Sequence, residues 1–149
     1  MKKNEITVPL IPNDLPWINV EEGGVDLKRK QKYLFYFWSV SCINCRQLSG
    51  DVLKETNKFN NLQVIAVHVP YSEEEKSIEL VKEKSTEKGF SLPIVLDQNY
   101  HIVQACHIQA VPSFCLFGSN GKLEFSSMGD VGFKKLLRQL NENSNMEKK

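Results

Sequence analysis

Two cysteines three positions apart, Cys42 and Cys45, are the residues of this sequence best suited to chemistry. They follow Tyr33-Leu34-Phe35-Tyr36-Phe37-Trp38, an aromatic run apolar on both faces, as a buried central strand should be. They open a stretch from Ile43 to about Lys58 that reads as helix, with Leu48, Val52 and Phe59 near one stripe. A helix start presents unpaired N–H groups and the positive end of the helix dipole, and both favour a thiolate. The thiolate, not the thiol, attacks a disulfide. Cys42, at the helix edge, would be exposed and activated. Cys45, one turn further in, would be shielded but within reach of the Cys42 sulfur. That asymmetry suits dithiol–disulfide exchange, in which one cysteine forms a mixed disulfide and the second resolves it.

The same four letters have other readings. C-x-x-C is often half of a zinc site, and zinc takes four ligands. The remaining candidates are Cys106, Cys115, His68, His101 and His107; no second pair has ligand spacing, and adjacent Cys106-His107 cannot easily point the same way. A metal-binding module without catalysis is the corresponding functional alternative. Two inert, buried cysteines is the plain structural one. For Cys106 and Cys115 that plain reading is preferred: Cys115 lies inside Ser113-Phe114-Cys115-Leu116-Phe117 and Cys106 near the end of a short helix, where free cysteine packs as a small hydrophobe. A disulfide between them is not expected in a reducing cytoplasm.

The elements that position these residues alternate. Leu62 to Val69 reads as a second buried strand, Glu73 to Lys88 as a charged helix ending at Gly89, and Leu92 to Leu96 as a third strand. A short helix follows around Asn99 to Cys106, then a strand from Val111 to Phe117. Ser119-Asn120-Gly121 is a hairpin turn into Lys122 to Ser126. Phe133, Leu136, Leu137 and Leu140 mark a closing amphipathic helix, with Asn141 to Lys149 a polar tail expected to fray. Residues 1–16 form an extended, proline-punctuated lead-in. The implied architecture is a three-layer α/β fold, its sheet parallel at first and antiparallel at the end. Lys28-Arg29-Lys30 and Glu73-Glu74-Glu75 are expected to be solvated helix ends.

Length and composition set bounds. With 149 residues, 41% apolar and 25% charged, the chain fits one domain (1–149, core about 15–142) that buries an ordinary core. A net charge of +1 gives no electrostatic footprint for nucleic acid. The longest apolar run, Tyr33 to Trp38, is far below the roughly 20 residues that span a bilayer, so no membrane partner is expected. No apolar segment follows Lys2-Lys3, as a secretory leader would need, so the expected address is cytoplasmic.

Phe37-Trp38-Ser39-Val40-Ser41-Cys42-Ile43-Asn44-Cys45, followed by Val111-Pro112 opening a strand 67 positions after Cys45, resembles the thioredoxin superfamily. That spacing exceeds thioredoxin's own and fits the inserted strand–helix element of the TlpA/ResA-like thiol–disulfide oxidoreductases. Trp17-Ile18-Asn19 before the first helix, Leu92-Pro93-Ile94-Val95-Leu96-Asp97 after the insert and Gly121-Lys122 in the hairpin agree with it. The resemblance implies a thioredoxin-like fold with a central mixed sheet flanked by helices. It implies Cys42 as nucleophile, Cys45 as resolving cysteine, and a cis peptide at Val111-Pro112 facing them. Trp38, Ile43, Asn44, Val111 and Pro112 would form the substrate-binding surroundings. Implied partners are protein disulfides and a recycling thiol reductant, with no metal or organic cofactor and a monomeric chain. A peroxiredoxin-like thiol peroxidase is the catalytic alternative. Ser39 or Ser41 could serve it, but Arg29, Arg46 and Arg138 lack a recognisable spacing for its arginine.

The departures from the family are informative. Tyr36 stands where thioredoxin has a buried Asp, and Leu48 where ResA-type proteins have a Glu. The proton acceptor for Cys45 is therefore unassigned, with His68 a candidate and a satisfied core-edge histidine its alternative reading. Ile43-Asn44 lacks the histidine of strongly oxidising relatives, which points to a more reducing potential. Arg46 is expected to be solvated, with a small effect.

Overall fold

Strands that are apolar on both faces must sit inside a sheet covered on both sides. The computed structural model, which describes residues 6–20, 24–27, 31–87 and 89–147, places them there. The strands are β1 (Trp17–Ile18), β2 (Lys32–Trp38), β3 (Leu62–His68), β4 (Ile94–Leu96), β5 (Ser113–Phe117) and β6 (Leu123–Met128). The helices are α1 (Ile43–Thr56), α2 (Ile78–Glu87), α3 (His101–Ala105) and α4 (Gly129–Glu147). The sheet order is β1-β4-β3-β2-β5-β6. β2, β3 and β4 run parallel, whereas β5 and β6 add as an antiparallel hairpin and β1 pairs antiparallel with β4. The mixed sheet expected from the sequence is present, with β2 at its centre.

Alternate residues of the central strands feed two cores. Leu34, Tyr36 and Trp38 of β2 pack with Cys45, Leu48 and Val52 of α1, Val81 of α2, and Phe133, Leu136 and Leu140 of α4. Tyr33, Phe35 and Phe37 face the other way, toward Ile102 and Cys106 at α3 and Leu15 of the lead-in. Each large side chain fully buried this way contributes on the order of 1.5–3 kcal/mol. The lead-in is more than an approach segment. Ile6, Val8 and Ile11 lie against the second core, and backbone bonds from Leu123 N–H to Ile6 O and from Val8 N–H to Gly121 O, both 2.9 Å, cover the edge beyond β6.

Three expectations change. The helix read from Glu73 to Lys88 is broken: Glu74–Lys76 forms a single 3₁₀ turn, and Ser77 is extended (φ −70°, ψ 124°). Ser77 Oγ accepts the Leu80 N–H at 3.2 Å and caps a fresh start of α2. The acidic run is therefore not uniformly solvated. Glu73 and Glu74 are exposed, but the 3₁₀ turn rotates Glu75 inward. At the C-terminus helix continues through Glu147, past the Asn141 at which fraying was expected, because i→i−4 bonding does not depend on an apolar face. The basic run Lys28-Arg29-Lys30 lies outside the described residues.

Candidate active site

β2 ends at Trp38, and a tight turn, closed by Cys42 N–H to Ser39 O at 3.1 Å, leads into α1. Cys42 is the N-cap of that helix, extended at φ −86° and ψ 111°. Its Sγ accepts the Cys45 N–H at 3.1 Å, so sulfur occupies the place where a Ser or Asp oxygen usually caps. Cys42 and Cys45 are joined as a disulfide with Cα atoms 5.2 Å apart. Cys42 is half-buried and Cys45 fully buried, the asymmetry read from the spacing. Once the bond is reduced, a Cys42 thiolate would keep the Cys45 N–H and gain from the helix N-terminus.

Opposite the sulfurs, the Val111–Pro112 peptide is cis. Cys42 Sγ lies 3.9 Å from Val111 O. The disulfide sulfur carries no hydrogen, so this is a packing contact; a Cys42 thiol could donate across it. Val111 is half-buried and Pro112 buried, with the Pro112 carbonyl accepting Gly129 N–H at 2.9 Å. Ile43 and Asn44 form the first residues of α1; their side chains, and those of Arg46 and Gln47, lie outside the described set. Trp38 is 4% exposed and packs edge-to-face on His68 (5.1 Å between centroids) and Phe90 (5.5 Å), behind the cysteine turn.

The floor under Cys45 is neutral. Tyr36, where the family carries its buried acid, places its hydroxyl 3.2 Å from Cys45 O and 3.1 Å from Ser49 Oγ, while Ser49 donates to Cys45 O at 2.7 Å. Burial, reinforced by the charge of Asp130 and only partly offset by the Ser49 bond, pushes the Tyr36 hydroxyl well above its ordinary range. It is no proton acceptor at neutral pH. Leu48, at the other family acid position, is core.

The flank beside Cys42 is polar. His68 is 1% exposed, and its Nε2 accepts the Val40 N–H at 3.3 Å, so the proton of the neutral ring sits on Nδ1. That Nδ1 has no partner among the described residues, so the core-edge ring is held through Nε2 alone. Glu75 Oε1 is 3.9 Å from Nε2, but burial outweighs its charge and lowers the His68 pKa to about 4. The ring is neutral at pH 7, and the contact is not an ion pair. Glu75 accepts the Ser39 hydroxyl at 2.7 Å and the Tyr71 N–H at 3.3 Å. Sequence reading missed this group because an acidic run resembles a solvated face; the Ser77 cap was the signal that could have located the break.

Cys106 and Cys115 are free and buried in the second core, as expected. A side-chain bond to Cys115, and then burial, raise the Cys106 thiol far above its ordinary pKa. Among the described residues no three His, Cys, Asp or Glu side chains are gathered as for a metal ion. Among the described residues, no helix is long and apolar enough to cross a membrane.

Residues 25–143 match the family model for a thioredoxin-like domain. The chain is 46% identical over 138 residues to the thioredoxin-like protein SkfH of Bacillus subtilis, covering 93% of this chain and 97% of that one. It is 29% identical to the thiol-disulfide oxidoreductase YkuV of the same organism, over 90% and 91% of the two chains. The solution structure of a thioredoxin-like protein in its oxidised form superposes with a TM-score of 0.76 at 27% identity, covering 94% of this chain and 95% of that one.

Proposed function

The chain belongs to the thioredoxin-like domain family, as a thiol–disulfide oxidoreductase, and on that premise we propose that it reduces protein disulfides through Cys42 and Cys45. One observation carries the reading. Cys42 Sγ sits as the cap of α1, bonded to the Cys45 N–H, with the Cys45 sulfur buried behind it.

In the reduced protein the Cys42 thiolate attacks one sulfur of a substrate disulfide. A Cys42–substrate bond forms, the substrate S–S bond breaks, and the first substrate thiolate leaves and takes up a proton. Cys45, deprotonated, then attacks Cys42 Sγ; the intramolecular disulfide forms and the second substrate thiolate leaves. Two electrons pass to the substrate, whose two sulfurs end as thiols. The Cys42–Cys45 disulfide is returned to the dithiol by a thiol reductant that supplies two electrons and two protons. The two cysteines carry both electrons themselves, so this chemistry calls for no metal or organic cofactor.

Val111 and Pro112 form the proposed ledge for an extended substrate segment, with the Val111 carbonyl beside the attacking sulfur. Ile43 and Asn44, between the cysteines, complete the contact surface, and Trp38 supports it from behind. A monomeric, single-domain chain is the proposed working unit. A reducing compartment such as the cytoplasm is the proposed setting, and the two free thiols of Cys106 and Cys115 fit it.

Cys45→Ser tests the mechanism. It keeps the attack by Cys42 and removes resolution, so substrates should accumulate as mixed disulfides on Cys42, released by dithiothreitol. A Cys45→Ser protein that traps nothing, with Cys42 shown to be alkylated readily, contradicts it.

A further inference from the structure

Ser39 lies in the turn that presents Cys42, and its buried hydroxyl has one hydrogen to give. That hydrogen goes to Glu75 Oε1 at 2.7 Å. The Ser41 hydroxyl, 3.1 Å away, must then be the donor to Ser39 Oγ, so the chain of hydroxyls runs from Ser41, the neighbour of Cys42, through Ser39 to the carboxylate. Ser39 O holds the Cys42 N–H, and Val40 N–H is held by His68. The cysteine turn is thus tied to the segment after β3 by side-chain bonds that end on Glu75.

Glu75 is 8% exposed, and among the described residues no lysine or arginine lies within ion-pair distance of it. A buried carboxylate without a cation costs several kcal/mol unless hydrogen bonds compensate. Here the Ser39 hydroxyl and the Tyr71 N–H do so. Among the described residues, the titratable groups around it supply no compensating positive charge. His68 of β3 is neutral, and the Tyr71 hydroxyl is raised by burial and by Glu75 itself. Tyr100, ahead of α3, donates to Pro70 O at 2.7 Å. Asp97, after β4, is raised by burial and bonded to the Ile102 and Val103 N–H groups. On its own turn, Glu73 and Glu74 are exposed, and Lys76 is directed to Glu73 at 3.1 Å.

We infer that Glu75 is a positioning residue for Cys42: it fixes the cysteine turn through Ser39, and its charge keeps the Cys42 thiol less acidic than the helix N-terminus alone would make it. This rests on the proposed reading of Cys42 as nucleophile. The sign follows from electrostatics. A negative charge nearby disfavours a thiolate, and a less stabilised thiolate means a less stable reduced form and a more reducing pair. The family carboxylates are missing at Tyr36 and Leu48, which share a core with Cys45, whereas the carboxylate of this chain reaches the cysteine turn through Ser39.

The test is a pH titration of the Cys42 thiolate in the reduced protein, followed by ultraviolet absorbance, for wild type, Glu75→Gln and Ser39→Ala. Glutamine keeps an acceptor for Ser39 and Tyr71 and removes the charge, so a purely structural role would not move the titration. The expected result is a Cys42 thiol at least about threefold more acidic in Glu75→Gln. Unchanged acidity in a folded Glu75→Gln protein overturns the inference. Ser39→Ala removes the bond and keeps the charge. Its thiol should be no more acidic than wild type, and a threefold rise there overturns the inference even if Glu75→Gln does not fold. Equilibrium of the wild type with dithiothreitol separates the two claims: no two-electron transition sinks the proposed function, whereas a normal transition with Glu75→Gln unmoved sinks only the role of Glu75.

Discussion

The chain holds two pairs of cysteines in opposite settings. Cys42 caps the N-terminus of α1, half-exposed, with an N–H aimed at its sulfur. Cys106 sits at the C-terminal end of α3, buried in the second core beside Cys115 of β5, with its thiol held protonated. The first setting stabilises a thiolate and lets a partner reach it. The second destabilises a thiolate and admits none. The residue type is the same, and the end of the helix, the depth and the hydrogen-bond donors decide the chemistry.

The largest expected effect breaks the comparison if it fails. Cys42→Ser should lower disulfide reductase turnover by on the order of a thousandfold or more, because a serine hydroxyl is not ionised at neutral pH. Cys115→Ala should keep turnover within about twofold and lose about 1 kcal/mol of unfolding free energy in urea, the cost of a small cavity. A large loss of turnover in Cys115→Ala would mean that the second pair takes part.

The next effect concerns the flank of the reactive pair. His68 has its pKa lowered from 6.5 to about 4 in the folded protein, so between those values the unfolded chain binds the extra proton. Stability tied to neutral His68 is therefore full above about 6.5 and falls as pH drops toward 4, by at most about 3 kcal/mol. Asp97, raised by burial, works in the opposite sense. Urea unfolding of wild type against His68→Asn across that range isolates the histidine: the wild type should show the steeper acid loss. Equal slopes would show that His68 titrates normally.

The smallest effect concerns the floor. Tyr36→Phe leaves Ser49 bonded to Cys45 O and should cost about 1 kcal/mol of stability. The pH profile of exchange should not move, since the Tyr36 hydroxyl is no proton acceptor. A shifted profile would return the family acid's role to this position.

Much of this was legible in advance. The aromatic run of β2, the C-x-x-C at a helix start and Val111-Pro112 ahead of a strand each carry a local signature, and the structure brings them together. Glu75 carried none. Its burial depends on a 3₁₀ turn and on a tertiary bond to Ser39, 36 positions earlier, and local pattern does not encode a partner that distant. The covering of the second core by Ile6, Val8 and Ile11 was hidden for the same reason: a proline-punctuated segment has no period, and only the β6 edge gives it a place.

The most direct test of the central claim is the reduction potential of the Cys42–Cys45 pair, measured at equilibrium with defined dithiothreitol ratios. Trp38 fluorescence is the expected reporter, since its ring packs behind the cysteine turn. A single two-electron transition near the ~−270 mV of thioredoxin, or below it, is the result predicted for a protein-disulfide reductase. A value toward the ~−120 mV of strong oxidants, or no transition at all, would contradict it.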